Sequence, residues 1–401
     1  MGTMKKSEII GVNIRSIQSN EIEKVLQLIK VAFTHYNQQP DENNGVEHYD
    51  MFREVYRRKD LDLDLIIVAE RDGEFISVAS FLPKKMTCSG KEMKGVILSP
   101  VATVPSYRGH GLAEQVITFG LDVAKQKEYL LSLVLGHPDY YPRVGYVPVF
   151  PWYHVEIGLS PSDIVRKETP SVKVRDVTFE DIDCLVSMYG QETETCIISP
   201  VRTREWFHQE LSIMNEPTDS PRRKGHIYQD RTDFRVFTRE DKVIGYAYLS
   251  EEGTKLKILE CYTKKFDDMD DIYQRLVEIA IQRNKTNLAS PLPPIHHFGI
   301  YMKQRVDKQT TYSPSALMLQ VLDWEACLSI YFDEHDLGDQ QQMIEYSHNM
   351  APYQFTRLFM GLYNTTEIAV HFPNFTTQQV RTLSQLFPKR DPYFNIGDML
   401  F

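Results

Sequence analysis

Cysteine is scarce and unpatterned in this sequence: Cys88, Cys184, Cys196, Cys261 and Cys327 are five in 401 residues, far apart, with no CxxC pair. A disulfide-dense secreted scaffold is excluded, and a reducing, cytoplasmic setting is expected. No window approaches 18 uninterrupted apolar residues, which excludes a hydrophobic spanning helix, and Lys5 and Lys6 are followed by no apolar stretch of an export signal. Basic residues are in deficit, 45 against 55 acidic, for a net charge of -10. That sign disfavours nucleic acid and anionic membranes as partners and favours steering of cationic substrates. Compositional bias is lacking too: 42% hydrophobic and 25% charged residues sit at the globular average, and the length allows two to three domains.

Two polar, proline-bearing stretches look like joints, Gly158 to Ser171 and Asn287 to His297. They divide the chain into expected domains 1–157, 158–290 and 291–401. The first two share an internal echo. Val12-Asn-Ile-Arg15, followed by Ile22 and Val25, recurs as Val172-Lys-Val-Arg175, followed by Ile182 and Leu185. Each reads as a strand, a turn and an amphipathic helix. Ala69 to Phe81 likewise matches Phe237 to Leu249 as a hairpin with charged turn residues. Two matches in the same order indicate a duplicated fold. The third segment has alternating stretches at Ala316 to Leu322 and Ile368 to Phe372, and an amphipathic piece from Thr377 to Phe387, which reads as a small α+β domain.

The chemistry concentrates between Val96 and Gly136. Val96 to Val104 is an apolar strand in which Pro100, lacking an N–H, predicts a bulge. Arg108-Gly-His-Gly111 follows as a loop. Ala113, Val116, Ile117, Gly120, Leu121 and Ala124 then fall on one face of a helix, and Tyr129 to Leu135 reads as a buried strand. Glycines at a helix N-terminus let backbone approach a ligand while the unpaired first-turn amides attract an anion, here a diphosphate, with Arg108 adding positive charge. Glu114 stands where a dinucleotide fingerprint has its third glycine, and no GK[ST] follows. The second copy has no such loop between Leu256 and Ile281, so it is expected to keep the fold without the chemistry.

Arg108-Gly109-His110-Gly111-Leu112-Ala113 resembles the R-x-x-G-x-G/A loop of the GNAT acyltransferases, and Tyr141-Pro-Arg-Val-Gly145-Tyr146 resembles their Y-x-x-x-G-F/Y segment. Leu98-Ser99 ahead of Val101-Ala102, together with Met318 to Asp323, extends the similarity to the Eis (enhanced intracellular survival) acetyltransferases. That resemblance implies an α/β (α+β) fold: tandem GNAT-like domains, each a mixed twisted sheet with flanking helices, plus a C-terminal sterol-carrier-like α+β domain. It implies acetyl-CoA as co-substrate, no metal, a homo-oligomer with a hexamer as its suggested assembly, and N-acetylation of an aminoglycoside, polyamine or lysine amine in a ternary complex. Coenzyme contacts are expected at Val101, Ala102, Thr103, Val104, Arg108, Gly109, His110, Gly111, Leu112 and Ala113.

By the same resemblance Tyr141 is the acid for the thiolate, with Tyr140 as the alternative register. The terminal carboxylate of Phe401 is the implied base, against a frayed end that would leave the role to a water chain or a side chain near His35. His35 and Ser99 are substrate-side candidates, and Asp41, Glu47 and Asp50 form an acidic cluster nearby. His296-His297 has no ligand spacing for zinc, Arg222-Arg-Lys224 reads as a solvated loop, and Trp152, Trp206 and Trp324 read as core or interface residues. A non-catalytic protein holding an apolar ligand in its C-terminal domain is the competing class.

Overall fold

A computed structural model of the chain describes residues 10–36, 39–160, 172–194, 196–217, 220, 231–292, 296–305, 313–332, 337–390, 392, 394, 398 and 399. The described strands in chain order are β1 (Asn13–Ser16), β2 (Ile66–Arg71), β3 (Glu74–Cys88), β4 (Lys91–Thr103), β5 (Leu131–Leu135), β6 (Val147–Trp152), β7 (Val155–Gly158), β8 (Lys173–Asp176), β9 (Ile198–Pro200), β10 (Arg231–Arg239), β11 (Lys242–Glu252), β12 (Lys255–Thr263), β13 (Asn287–Ser290) and β14 (Ser313–Val321). They form two sheets. The first has the order β1-β2-β3-β4-β5-β14-β6, with β9 added along β3; the second has the order β7-β13-β12-β11-β10-β8.

The duplication extends to side chains. In the first copy Arg15 grips Glu21 through two 2.7 Å bonds, and Glu21 accepts from the Gln18 amide ahead of α1 (Ile22–Thr34). In the second, Arg175 grips Asp181 at the same two distances, and Asp181 accepts from the Thr178 amide ahead of α4 (Ile182–Thr193). Both are capping arrangements that satisfy helix-start donors. The two hairpins also correspond, closing at Arg71–Glu74 and at Arg239–Lys242.

One face of the first sheet is covered by α1 and α2 (Glu42–Val55), whose Val25, Leu26, Ile29, Phe52 and Val55 are buried. The other face receives α3 (Leu112–Gln126) through Leu112, Val116, Ile117, Leu121 and Ala124; this is the stripe read from the sequence except that Leu112 takes the buried place expected of Ala113. Burying each large aliphatic side chain of that stripe contributes roughly 1.5–3 kcal/mol.

The C-terminal residues, for which a sterol-carrier-like domain is expected, join the first sheet. Among the described residues they supply one strand, β14, and it lies between β5 and β6 of the first sheet. In exchange β7 leaves the first copy and pairs with β13 of the second, so the cut after residue 157 falls inside a strand. Asn287 to Ser290, read as part of a joint, is β13. The other described elements of the C-terminal segment are helices. Ile368 to Phe372, read as alternating, belongs to a helix over Thr365–His371, because Asn364 and Glu367 cap its start reciprocally at 2.9 and 2.7 Å. These helices close around Trp324, Tyr331, Phe355, Phe359 and Phe387, whose rings meet at 4.6–6.3 Å. Among the described residues no helix is long and apolar enough to cross a membrane.

Candidate active site

β4 and β5 run parallel but pair at three positions, Gly95–Leu131, Val96–Ser132 and Ile97–Leu133. Past Ile97 they part. β3 holds β4 as far as Ser77–Thr103, and β14 holds β5 as far as Leu317–Leu135. The divergence begins where β4 bulges: Ser99 and Pro100 stand against a single residue of β3, between the pairs Phe81–Leu98 and Ala79–Val101. This is the bulge foreseen from Pro100. It opens a wedge whose β4 wall, Leu98 to Thr103, presents backbone with which an extended ligand can pair.

The wedge leads to the glycine loop. After a 3-10 turn at Pro105–Tyr107, Gly109 (φ 82°) and Gly111 (φ 80°) both adopt the left-handed conformation, and Gly111 caps α3. A side chain at either position is strained there. The first-turn amides of α3 have no helical acceptor, so the loop is a cradle for an anion, and Leu112 and Ala113 supply amides to it. The loop therefore fits a diphosphate.

Arg108, expected to add positive charge at the coenzyme, is engaged by backbone carbonyls. Its Nε donates to Thr103 O at 3.1 Å, and its two terminal nitrogens donate to His35 O and Ala32 O, both at 2.7 Å. The guanidinium thus fastens the loop to the C-terminal end of α1, where the helix dipole favours a cation. Backbone amides, not this side chain, are left to meet the anion. His35 departs from expectation too: its Nδ1 lies 3.0 Å from Val31 O, so the ring turns back on its own helix. Asp41 caps α2 by accepting from Asn43 and Asn44, and Asp50 pairs with Arg53 at 3.1 Å, so the acidic cluster lies along α2 and its cap.

Beyond β5 the chain forms a tight turn. Tyr141 begins a 3-10 segment, Tyr141–Val144, closed by Gly145 at φ 95°. Its ring meets Tyr140 edge-on at 5.2 Å and Tyr146 at 5.9 Å, and Tyr146 is fixed by a 2.6 Å bond to Ser132. Gly136 makes room for it: a Cβ there would stand 2.1 Å from a Tyr141 ring carbon. Burial raises the Tyr141 phenol well above its ordinary value, aided by neighbouring Tyr140 and Tyr36, so it stays protonated as a proton donor must. Tyr140 is also raised, by burial and by Glu114 of α3. The sequence reading missed Tyr36 and His137, although Gly136-His137-Pro138 directly follows the apolar run of β5. The Tyr36 hydroxyl lies 3.0 Å from His137 Nε2, and the rings are inclined by 20°. Phe401 lies outside the described residues.

The family model described as an acetyltransferase (GNAT) domain matches residues 13–149. The match takes in about a third of the chain. Within this stretch the chain is similar to the uncharacterized N-acetyltransferase YhbS of Escherichia coli strain K12, at 36% identity over 90 residues, 22% of this chain and 53% of that relative. The chain thus spans about half the length of the relative it matches. Over nearly its whole length it shares its fold with two solved proteins, each at 14% identity and each covering 96% of this chain and 99% of the other. They are a GCN5-related N-acetyltransferase from Anabaena variabilis, at a TM-score of 0.66, and Eis1 from Mycobacterium abscessus, at 0.61.

The second copy has a physical reason to lack the GNAT loop. Where the anion would sit, its helix Met269–Gln282 is preceded by Asp267 and Asp268 and opens with Asp270 and Asp271. Arg239 binds Asp268 and Asp271, so carboxylates already occupy the positive end of the helix. Elsewhere, His297 pairs with Glu192 at 3.0 Å, while His296 caps its own helix. A cleft of about 750 Å³ opens away from the wedge, lined by Met51, Arg58, Lys84, Lys85 and Trp206.

Proposed function

We propose that the chain transfers an acetyl group from acetyl-CoA to a primary amine by direct attack on the thioester in a ternary complex. The observation that carries this reading is the wedge between β4 and β5, which opens at the Ser99–Pro100 bulge and ends at the Gly109–Gly111 loop. An extended pantetheine arm matches the backbone of Val101, Ala102, Thr103 and Val104, and a diphosphate matches the amides of Gly109, His110, Gly111, Leu112 and Ala113. Acetyl-CoA supplies the activated acyl group. A β4 amide beside the bulge polarises the thioester carbonyl, Ser99 borders the acceptor, and Tyr141 gives its proton to the departing thiolate.

The net charge of -10 and the aromatic rim at Tyr36 support a cationic acceptor, such as an aminoglycoside, a polyamine or a lysine side chain. The five cysteines are all unbonded thiols, which supports a reducing, cytoplasmic setting. Calorimetric titration with acetyl-CoA, followed by a thiol-release assay over a panel of amines, tests the proposal. Saturable binding and amine-dependent thiol release are expected; absence of both would overturn it.

A further inference from the structure

The end of α1 spans the mouth of the wedge and is held on both sides. On the β4 side Arg108 binds the carbonyls of Ala32 and His35. On the β5 side the Tyr36 hydroxyl meets His137 Nε2 at 3.0 Å, just beyond the last residue of β5. Phe33 stacks on Tyr36 at 5.9 Å and on His48 at 3.8 Å, which steadies the ring while 56% of Tyr36 remains exposed. His137 is exposed as well. Tyr36 is close enough to Tyr141 to contribute to its raised value. An acceptor entering between these two tyrosines therefore meets one phenol backed by a buried aromatic cluster and another backed by an imidazole open to water.

A protonated amine cannot attack a thioester, so its extra proton must leave before the bond forms. We propose that Tyr36 and His137 are the exit path for that proton. The Tyr36 oxygen accepts it from the acceptor ammonium while the Tyr36 hydroxyl proton passes to Nε2 of a neutral His137 carrying its own proton on Nδ1. The resulting imidazolium releases a proton to bulk water. The neutral amine then forms the C–N bond as the C–S bond breaks. Tyr141 protonates the thiolate and is restored by the second proton, shed as the amide forms. Tyr36 is thus a catalytic residue, and His137 acts through it as a positioning and proton-accepting residue. The charged and titratable groups around the pair are Tyr141 on the 3-10 turn, Tyr140 and Asp139 just ahead of it, His35 at the end of α1, Arg108 of the glycine loop bound to that end, and His48 behind Phe33.

This path rests on the proposed acetyl transfer, and the test separates the two. Wild type, Tyr36→Phe, His137→Gln and the double variant are assayed with acetyl-CoA and spermidine from pH 6 to 10, with acetyl-CoA affinity measured by calorimetry as a check on folding and loop integrity. Each single variant is expected to lose about 10- to 100-fold in kcat/KM near pH 7, with coenzyme affinity unchanged and the double variant no worse than either. The deficit should shrink as the pH approaches the acceptor's own pKa, where the amine arrives neutral. The acidic limb of the wild-type profile should disappear in His137→Gln. A pH-independent loss, or an unchanged profile in both single variants, overturns the proton path while leaving acetyl transfer standing. Failure of the wild type to acetylate spermidine or any other amine of the panel overturns both.

Discussion

At the scale of single residues, Tyr141 and Tyr140 are adjacent in sequence but differ in surroundings. Tyr141 packs against Gly136 and Tyr146 and is raised by burial and the neighbouring tyrosines, whereas Tyr140 is raised by burial and by Glu114 at the start of α3. Tyr141→Phe removes the donor while keeping the ring, so steady-state kinetics should show kcat reduced by about 10- to 100-fold with acetyl-CoA affinity within about twofold of wild type. Tyr140→Phe should change kcat little; the reverse pattern would move the acid one residue upstream. Gly136→Ala tests the same site from behind. Its new Cβ would press on the Tyr141 ring, so thermal melting should register about 1–3 kcal/mol of overpacking together with a fall in kcat. The tyrosine was legible through its spacing to Gly145. Its support was not, because a glycine's lack of a side chain carries no trace of the ring that fills the space.

At the scale of elements, the local signals were strong wherever one element sufficed. The α3 stripe, the Pro100 bulge and the two glycines all follow from side-chain spacing, from a missing N–H or from a missing Cβ. The tether from Arg108 to α1 was illegible because it joins residues 73 and 76 positions apart, and no local pattern reports such a contact. The Tyr36–His137 bridge, 101 positions apart, was hidden for the same reason. The tether and the cradle can be tested separately. Gly111→Val forces a β-branched residue into φ 80° and should weaken acetyl-CoA binding by at least about tenfold in calorimetry. Arg108→Met leaves the glycines alone but frees the loop from α1, and should lower both coenzyme affinity and melting temperature. A loss of affinity without any loss of stability would instead make Arg108 a direct phosphate ligand.

At the scale of the whole molecule, the duplication was readable but the exchange of strands was not. β7 of the first copy joins the second sheet and β14, from the segment after the second copy, joins the first, and no residue pattern in either strand names its partner. The exchange binds the copies together, and a buried charge cluster fastens the second copy to the C-terminal segment. Arg202 donates to Glu260 at 2.7 and 2.8 Å and to Asp398 at 2.9 Å twice, with all three side chains fully buried and Tyr189 and Trp206 flanking the guanidinium at 4.3 and 4.2 Å. Lys84 of β3 lies in the same field. Burial pushes its ammonium down to about 8, against the pull of Asp398, and the nearby Arg58–Asp60 pair is neutral in sum. Below about 8 the cluster balances: two cations, Arg202 and Lys84, against two carboxylates. Asp398→Asn then leaves one uncompensated buried cation, which costs about 3–5 kcal/mol. Thermal melting at pH 7 should fall by several degrees. The sign of the pH effect follows from Lys84, whose folded value lies below its unfolded value near 10.5. As the pH rises past about 8, Lys84 sheds its proton in the fold. The variant, in which Lys84 has lost the pull of Asp398, sheds this proton at lower pH than the wild type and so reaches balance through Arg202 and Glu260 first. The gap between the two melting temperatures should therefore narrow between pH 7 and pH 9. A gap that stays constant over that interval would mean that Asp398 holds the C-terminal segment by hydrogen bonds alone, with Lys84 outside its electrostatic reach.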